Sequence, residues 1–245
     1  LPGIPTPLLD KLRTEGVTMK RGYTASPKCS PSRYAILTGR FPSRNEKLQK
    51  QASDGYPPAP GNQAPLSGVD EHMNLQTVLQ SEGYHTGMVG KWHLLDKCSG
   101  TYAEQVACVK ATGFDFVDSF YPSNLGDSYD QQLEWVTHAA LQFIDEARAA
   151  NKPFFLHYNS ILPNGPGMPD VLYNDPPVQV RTFDGVKDMP AVPGMMSRTA
   201  VLNAALAVEG VNDMFLPQIA GMIWQDESLR VIHDHLQTQG LLDST

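Results

Sequence analysis

Residues 75–89, LQTVLQSEGYHTGMV, place a helical pattern directly before a short apolar segment. Apolar side chains recur at helical spacing until Gly83, where the pattern predicts that the helix ends. The residues that follow, 85–89, are predicted to form a strand. Because helices that alternate with short strands pack in layers around a parallel sheet, this stretch indicates an α/β fold.

The same alternation continues along the chain. Thr6 as N-cap and Pro7 at the first helical position predict a helix that Gly16 ends. A second helix is predicted to begin at Ser30 and to end at Gly39. The remaining predicted elements are an extended segment over 17–24, irregular segments over 49–68 and 165–195, an amphipathic helix over 133–147, a buried strand over 154–158, and a last helix over 215–239 with Gly240 as its C-cap.

The composition limits the class of protein. A chain of 245 residues suffices for one large domain or two small ones. The net charge is −7 and the sequence shows no dense basic cluster, which argues against nucleic acid as the main partner. The apolar runs are too short to cross a bilayer, so no membrane span is expected.

The three cysteines allow two interpretations. Cys98 and Cys108 lie close together in what is predicted to be a polar loop. A local disulfide between them would indicate an oxidising compartment and would leave Cys29 to be explained. Alternatively, all three cysteines are reduced thiols of a cytosolic protein.

Cys29 begins the stretch CSPSR, residues 29–33, directly before a predicted helix. The first N–H groups of a helix and the positive end of its dipole favour an anion at this place. Arg33, one turn further along, can point its guanidinium towards the same place. These features together suggest an anion-handling site, although a cysteine near an arginine is more often structural.

Two longer motifs carry a specific resemblance. CSPSR at residues 29–33, followed by LTGR at 37–40, resembles the first signature of the type I sulfatases. Residues 83–94, GYHTGMVGKWHL, resemble the second signature, and residues 6–17 are similar to the segment that usually precedes the first. On these motifs the chain resembles a formylglycine-dependent sulfatase of the alkaline-phosphatase-like superfamily. The resemblance implies a mostly parallel sheet with helices on both faces.

The resemblance also implies a reaction. Cys29 would be oxidised to formylglycine by a dedicated maturation enzyme, and the hydrate of this aldehyde would attack the sulfur of a sulfated small molecule or carbohydrate. Arg33 would hold the hydrate, while Lys91 and His93 would bind sulfate oxygens and manage the proton of the nucleophile. Without the two signatures, Lys91 and His93 would be interpreted as a solvated lysine and a packed histidine.

One segment departs from the family pattern. Residues 154–166 resemble a strand and loop that end in Ala-Pro-His-x-Pro, where the histidine contacts the substrate and can protonate the leaving group. Here Asn164 stands in the place of that histidine. An asparagine donates a hydrogen bond but supplies no proton at useful pH, so Asn164 is expected to bind substrate without acting as an acid. His157 is close in sequence, but successive strand residues face opposite ways, and it is assigned no role.

The resemblance implies one divalent cation, usually calcium, bound by the formylglycine at position 29 and by an Asp-Asp and an Asp-Asn pair. Neither pair occurs where the family has it, so the remaining ligands are expected outside this chain. Residues 1–245 are therefore expected to be part of the N-terminal catalytic domain of a sulfatase. The sheet is expected to be incomplete at both ends, and the C-terminal subdomain to be absent.

Three functions remain open. The first is hydrolysis of a sulfate monoester through formylglycine at position 29. The second is a truncated or divergent, non-catalytic sulfatase-like protein, which Asn164 and the missing carboxylates favour. The third is a phosphonate or phosphate monoester hydrolase that uses the same cysteine motif. The family resemblance and the possible Cys98–Cys108 pair suggest a secreted, periplasmic or lysosomal-type compartment.

Overall fold

The computed structural model describes residues 3–53, 69, 73–94, 99–123, 129–163, 170–177 and 179–245. The chain forms two compact units. One contains the segments Leu1–Met19, Asn124–Asp145 and Ser160–Thr245, and the other contains Lys20–Ser123 and Glu146–Asn159. They are called the first and the second unit.

A three-stranded parallel sheet organises the second unit. Its strands are β1 (His85–Lys91), β2 (Phe116–Tyr121) and β3 (Phe154–Asn159), in the order β2-β1-β3. Strand β1 is buried from residue 86 to residue 91, as is typical of the central strand of a parallel sheet. The chain continues from β1 to β2 on one side of it, and then crosses to the other side of β1 to form β3. The carboxyl end of β1 is therefore a topological switch point, where open α/β sheets commonly bind ligands.

Helices accompany the sheet in the described part of the second unit. Helix α4 (Leu75–Ser81) packs against β1, α5 (Tyr102–Lys110) packs against β2, and α2 (Cys29–Thr38) contacts α4. Asn74 caps α4 through Thr77 and donates from Nδ2 to the carbonyl oxygens of Val69 and Thr112, which joins the start of α4 to the turn before β2. The helices are α2 (Cys29–Thr38), α3 (Glu46–Ser53), α4 (Leu75–Ser81) and α5 (Tyr102–Lys110), with a short 3-10 helix at Pro42–Arg44.

A β-bulge lies near the carboxyl end of β1. Val89 pairs with Asp118 and Gly90 pairs with Phe120, so Ser119 is the extra residue of β2. Ser119 has a φ of 47° and Gly90 has a φ of 83°. Bulges bend a strand and redirect its side chains. The bulge on β2 lies opposite Val89 and Gly90, the two residues of β1 that precede Lys91.

The first unit is mainly helical. It contains α1 (Pro7–Glu15), α7 (Arg198–Leu206), α8 (Leu216–Thr238) and the antiparallel hairpin of β4 (Val180–Thr182) and β5 (Gly185–Lys187). Helix α6 (Leu133–Ala149) belongs to the first unit up to Asp145 and continues into the second. A buried apolar cluster joins α6, α7 and α8: Leu133, Leu162, Leu172, Val201, Leu202, Ala205, Val208, Leu216, Ile219, Ala220, Ile223 and Trp224.

A carboxylate from α8 replaces the predicted cap of α1. The side chain of Thr6 makes no capping hydrogen bond. Instead, the buried carboxylate of Asp226 accepts from the backbone N–H groups of Leu8 at 3.1 Å and Leu9 at 2.9 Å. An anion at the first turn satisfies these N–H groups and complements the helix dipole.

Several predicted elements are confirmed. Helix α1 ends before Gly16, α2 ends before Gly39 in the left-handed conformation, and α8 ends close to Gly240, which also has a positive φ. The predicted strands at 85–89 and 154–158 are β1 and β3, and the amphipathic helix predicted over 133–147 is α6.

Other predictions are wrong. A turn at residues 20–21 interrupts the segment that was expected to be extended over 17–24. Residues 49–53 belong to α3, whereas residues 54–68 of the same predicted irregular segment lie outside the described residues. Cys108 lies in α5 rather than in a loop. The segment 165–195 contains a 3-10 helix at Asp170–Tyr173 and the β4–β5 hairpin.

In the described part of the chain, no helix combines the length and the apolar character needed to cross a membrane.

Candidate active site

The site begins at the N-terminus of α2. Cys29 is the first residue of this helix, one position further in than the sequence predicted, and its side chain is half-buried. Its N-cap, Lys28, makes no side-chain capping bond, and the first turn contains no acidic residue. The first turn therefore presents its N–H groups and dipole without a carboxylate to neutralise them.

The second part of the site follows β1 directly. Backbone hydrogen bonds from Trp92 to Tyr121 at 2.8 Å and from His93 to Pro122 at 3.0 Å hold this segment against the chain that follows β2. His93 has a φ of 60°, a conformation that non-glycine residues adopt at a cost and that often marks a functional site. Its Nδ1 lies 3.0 Å from the Sγ of Cys29.

Lys91 and Arg33 complete the group. The side chain of Lys91 is hydrogen-bonded to Cys29. Nη1 of Arg33 donates to the backbone carbonyl oxygen of Lys91 at 2.7 Å. The structure thus brings together the four residues predicted as the catalytic set, Cys29, Arg33, Lys91 and His93.

Burial and positive charge lower the pKa values in this group. Burial, and then the charges of Lys91 and Arg33, lower the pKa of His93 to about 4. Burial is also the main cause that lowers the pKa of Lys91 and of Arg33, although the nearby Cys29 raises both. His93 is therefore neutral at neutral pH and able to accept a proton, beside two cations that favour an anion.

Two further polar residues, His157 and Asn159, lie in the carboxyl half of β3. The ring of His157 stacks against that of Phe114 with centroids 6.3 Å apart, and its Nε2 is buried with no hydrogen-bond partner among the described residues. Burial, and then the charge of Arg33, lower the pKa of His157 to about 4. Asn159 has a buried Nδ2 that likewise finds no acceptor in the described part of the chain.

Two of the residues singled out in the sequence cannot be placed in the structure. Asn164, expected to bind substrate, and Cys98 lie outside the described residues. Cys108 is disulfide-bonded, whereas Cys29 is not part of a disulfide.

The described residues do not fit the calcium ion that the resemblance implies. They contain no group of three or more His, Cys, Asp or Glu side chains that could hold a metal ion. The side chains that surround Cys29 are nitrogen groups of Arg33, Lys91 and His93, whereas calcium requires six to eight oxygen ligands.

A cleft of about 490 Å³ lies in the first unit and is lined by residues of α6, α8 and the segment before α7. Two pairs of its charged and polar side chains contact each other: Nε2 of His235 lies 2.8 Å from Asp145, and Arg230 contacts Asp234. The four predicted site residues belong to the second unit, so the cleft is not the predicted site.

Comparison with known proteins identifies the class. The family model described as Sulfatase matches residues 2–245. The chain is 31% identical over 184 residues to N-acetylgalactosamine-6-sulfatase from Canis lupus familiaris, a match that covers 64% of this chain and 34% of the relative. The chain belongs to the sulfatase family. Three curated N-acetylgalactosamine-6-sulfatases match over 64% of this chain, and the match spans only about a third of the length of each of them.

Solved structures show the same fold. Ps i-CgsB in complex with k-i-k-neocarrahexaose is similar with a TM-score of 0.62 at 18% identity, over 98% of this chain and 51% of that chain. BT4656 in complex with its substrate D-glucosamine-2-N,6-O-disulfate is similar with a TM-score of 0.54 at 18% identity, over 98% of this chain and 58% of that chain. The predicted α/β fold with a parallel sheet, of the alkaline-phosphatase-like class, is confirmed.

Proposed function

We propose that the protein hydrolyses sulfate monoesters with a formylglycine hydrate made from Cys29. The observation that carries this proposal is the arrangement around Sγ of Cys29. His93 Nδ1 lies 3.0 Å away, Lys91 is hydrogen-bonded to the same side chain, and Arg33 is anchored on the carbonyl of Lys91. A nucleophile beside a neutral base and two cations suits attack on an anionic ester.

The proposed reaction has two stages, a displacement at sulfur and an elimination that releases sulfate. The maturation enzyme, supplied with an external two-electron oxidant that provides the oxygen atom, converts the CH2SH group of Cys29 into an aldehyde and releases the sulfur as sulfide; the aldehyde then adds water to give a hydrate. One hydroxyl of the hydrate loses its proton and attacks sulfur, and the sulfur–oxygen bond to the alcohol breaks. The second hydroxyl then loses its proton, the carbonyl reforms, and the carbon–oxygen bond to sulfate breaks.

The residues around position 29 divide these tasks. His93, neutral at neutral pH because its pKa is lowered to about 4, accepts a proton from a hydroxyl of the hydrate. Lys91 and Arg33 bind the sulfate oxygens and the developing negative charge. Asn164 supplies no proton to the leaving group, so esters of acidic alcohols such as phenols are expected to react faster than alkyl sulfates.

We further propose a sulfated carbohydrate as the natural substrate class. The relative from Canis lupus familiaris is named for a sulfated amino sugar, and the substrate bound to BT4656 is also a sulfated amino sugar. The disulfide at Cys108 supports a secreted, periplasmic or lysosomal-type compartment, because disulfides persist where thiols are not kept reduced.

A second candidate is a non-catalytic, anion-binding member of the family. The observation that favours it is that the described residues contain no group able to hold a metal ion. Calcium and the maturation enzyme are part of the first proposal only. The cation would have to be held by ligands that the described residues do not supply.

Mass spectrometry of the peptide that contains Cys29 tests the first proposal. The modified peptide loses a sulfur and two hydrogens and gains an oxygen, and an unmodified thiol in active protein contradicts the proposal. Hydrolysis of an aryl sulfate is expected in the parent and is expected to be lost in Cys29→Ala. Equal turnover of an aryl phosphate would favour the phosphate hydrolase instead. Modified protein that turns over neither ester would favour the non-catalytic candidate.

A further inference from the structure

We infer that Trp92 is the positioning residue for Lys91 and His93, an assignment that rests on the proposed function. Trp92 stands between these two residues in sequence, but its side chain makes different contacts. The side chains of Lys91 and His93 both contact that of Cys29. The ring of Trp92 is 1% exposed and meets the ring of Phe114 edge-on, with centroids 5.9 Å apart. Trp92 is therefore the buried anchor of a segment whose two flanking side chains belong to the site.

The backbone of this segment needs such an anchor. The register of β1 with β3 ends at Gly90, whereas backbone hydrogen bonds to the β2 side continue through Trp92 and His93. His93 has a φ of 60°. A non-glycine residue keeps this costly conformation only where its surroundings determine it. A large buried ring at the preceding residue supplies that constraint.

Packing fixes the ring of Trp92. Phe114 is itself buried, and the ring of His157 stacks on it with centroids 6.3 Å apart. Nε1 of Trp92 is buried and has no hydrogen-bond partner among the described residues, so no bond from the indole N–H to these residues orients the ring. A phenylalanine at position 92 is therefore expected to keep most of the anchoring, whereas a leucine loses the edge-to-face contact.

A buried tryptophan can also serve stability alone, and Trp224 is the matched comparison. Its ring is fully buried in the apolar cluster of the first unit, and its Nε1 likewise has no partner in the described part of the chain. The four site residues belong to the second unit. Trp224→Leu therefore makes the same change in a core away from the catalytic segment. It is expected to lower the unfolding midpoint and to leave kcat/KM of the folded protein unchanged.

Hydrolysis of an aryl sulfate, measured well below the unfolding midpoint of each variant, is the first test. Trp92→Leu is expected to lower kcat/KM about a hundredfold, the effect of displacing catalytic groups by about 1 Å. Trp92→Phe is expected to stay within about tenfold of the parent, because it keeps an aromatic ring against Phe114. In a His93→Gln background, Trp92→Leu is expected to cost only about tenfold, because part of what it positions is already missing. Equal factors in both backgrounds, or an equal loss in Trp224→Leu, overturn the assignment.

The reactivity of the Cys29 thiol tests the assignment without turnover, in protein produced without the maturation enzyme. Cys29 is not part of a disulfide, and alkylation is followed by mass spectrometry of the peptide that contains it. The ratio of the rate constants for iodoacetate and iodoacetamide reports the positive charge beside the sulfur, because only iodoacetate is an anion. Trp92→Leu is expected to lower this ratio about fivefold as Lys91 moves away, the effect of one unit charge at about 4 Å in water. Trp224→Leu is expected to keep the ratio of the parent.

The outcomes separate this assignment from the proposed function. An unchanged ratio in Trp92→Leu overturns the assignment even where kcat/KM falls, because the loss then has a cause other than the position of Lys91. If Trp92→Leu does not fold, Phe114→Leu removes the ring against which Trp92 packs, and the same criterion applies to it. A parent that keeps Cys29 as a thiol and hydrolyses no ester contradicts the proposed function. A ratio that falls in Trp92→Leu but not in Trp224→Leu would still assign Trp92 to positioning.

Discussion

Nη1 of Arg33 donates a 2.7 Å hydrogen bond to the backbone carbonyl oxygen of Lys91. This bond joins the helix that begins with Cys29 to the carboxyl end of the central strand. It uses one edge of the guanidinium and leaves Nε buried without an acceptor among the described residues. Arg33 is therefore both a brace for the segment that contains Lys91 and His93 and a cation of the site.

The first prediction separates these two functions of Arg33. Arg33→Lys keeps the charge but loses the planar fork of donors, so it is expected to lower kcat/KM for an aryl sulfate about a hundredfold. The matched control is Arg40→Lys, at an exposed arginine just beyond the end of the same helix, which is expected to leave kcat/KM unchanged. Steady-state kinetics measures both. Parent-like kinetics in Arg33→Lys would show that charge alone suffices.

The second prediction concerns the proton accepted by His93. Its pKa of about 4 predicts that kcat/KM falls as the pH drops through about 4, because the protonated ring no longer accepts a proton. His93→Gln is expected to lower kcat/KM between a hundredfold and ten-thousandfold, on the order found for general bases, and to abolish this acid limb. The measurement is the pH profile of aryl sulfate hydrolysis. An acid limb that persists unchanged in His93→Gln assigns the base elsewhere.

The third prediction concerns stability at low pH. His157 and His93 have folded-state pKa values of about 4, below the value near 6.5 of an unfolded histidine. Between these values the unfolded chain binds more protons than the folded one, so the free energy of unfolding decreases as the pH falls from about 6.5 to about 4. His157→Phe, which suits the neighbouring Phe114 and Phe155, is expected to reduce this decrease.

Urea unfolding at a series of pH values checks the third prediction. The parent and His157→Phe should differ most in the slope between pH 4 and 6.5 and least above pH 7. His138→Phe is a useful comparison because this histidine lies on α6 in the first unit. Identical slopes in the parent and His157→Phe would show that His157 takes up its proton without loss of stability.

The local signals in the sequence account for most of the site. Cys29 and Arg33 are one helical turn apart, and Lys91 ends a strand that His93 follows by two residues, so each pair is determined by its own short segment. What joins the pairs is the position of α2 over the end of β1. That packing is non-local, and only the resemblance to a family predicted it.

The errors have physical causes of the same kind. Helix α5 was missed because its polar residues conceal its pattern, and its capping box at Thr101 and Glu104 was the available signal. Thr6 was a reasonable cap by residue type. The anion at the first turn comes instead from Asp226, which lies 220 residues further along the chain.

The fourth prediction concerns the core of the first unit. Arg198 is 1% exposed and forms two hydrogen bonds with Glu134, at 2.7 and 2.9 Å, and a third with the carbonyl oxygen of Val171. Its guanidinium lies 5.2 Å from the ring centroid of Trp224. Arg198→Met removes one partner of a buried pair and is expected to cost about 3–5 kcal/mol of unfolding free energy.

A double-mutant cycle identifies the cause of this loss. In Arg198→Met the carboxylate of Glu134 is left without its cation, so the additional change Glu134→Leu is expected to recover a large part of the lost stability. Urea unfolding of the parent, the two single variants and the double variant measures the coupling between the two side chains. If the double variant loses the sum of the two single losses, the ion pair contributes nothing beyond packing, and contact with Trp224 becomes the main reason for burying an arginine at this position.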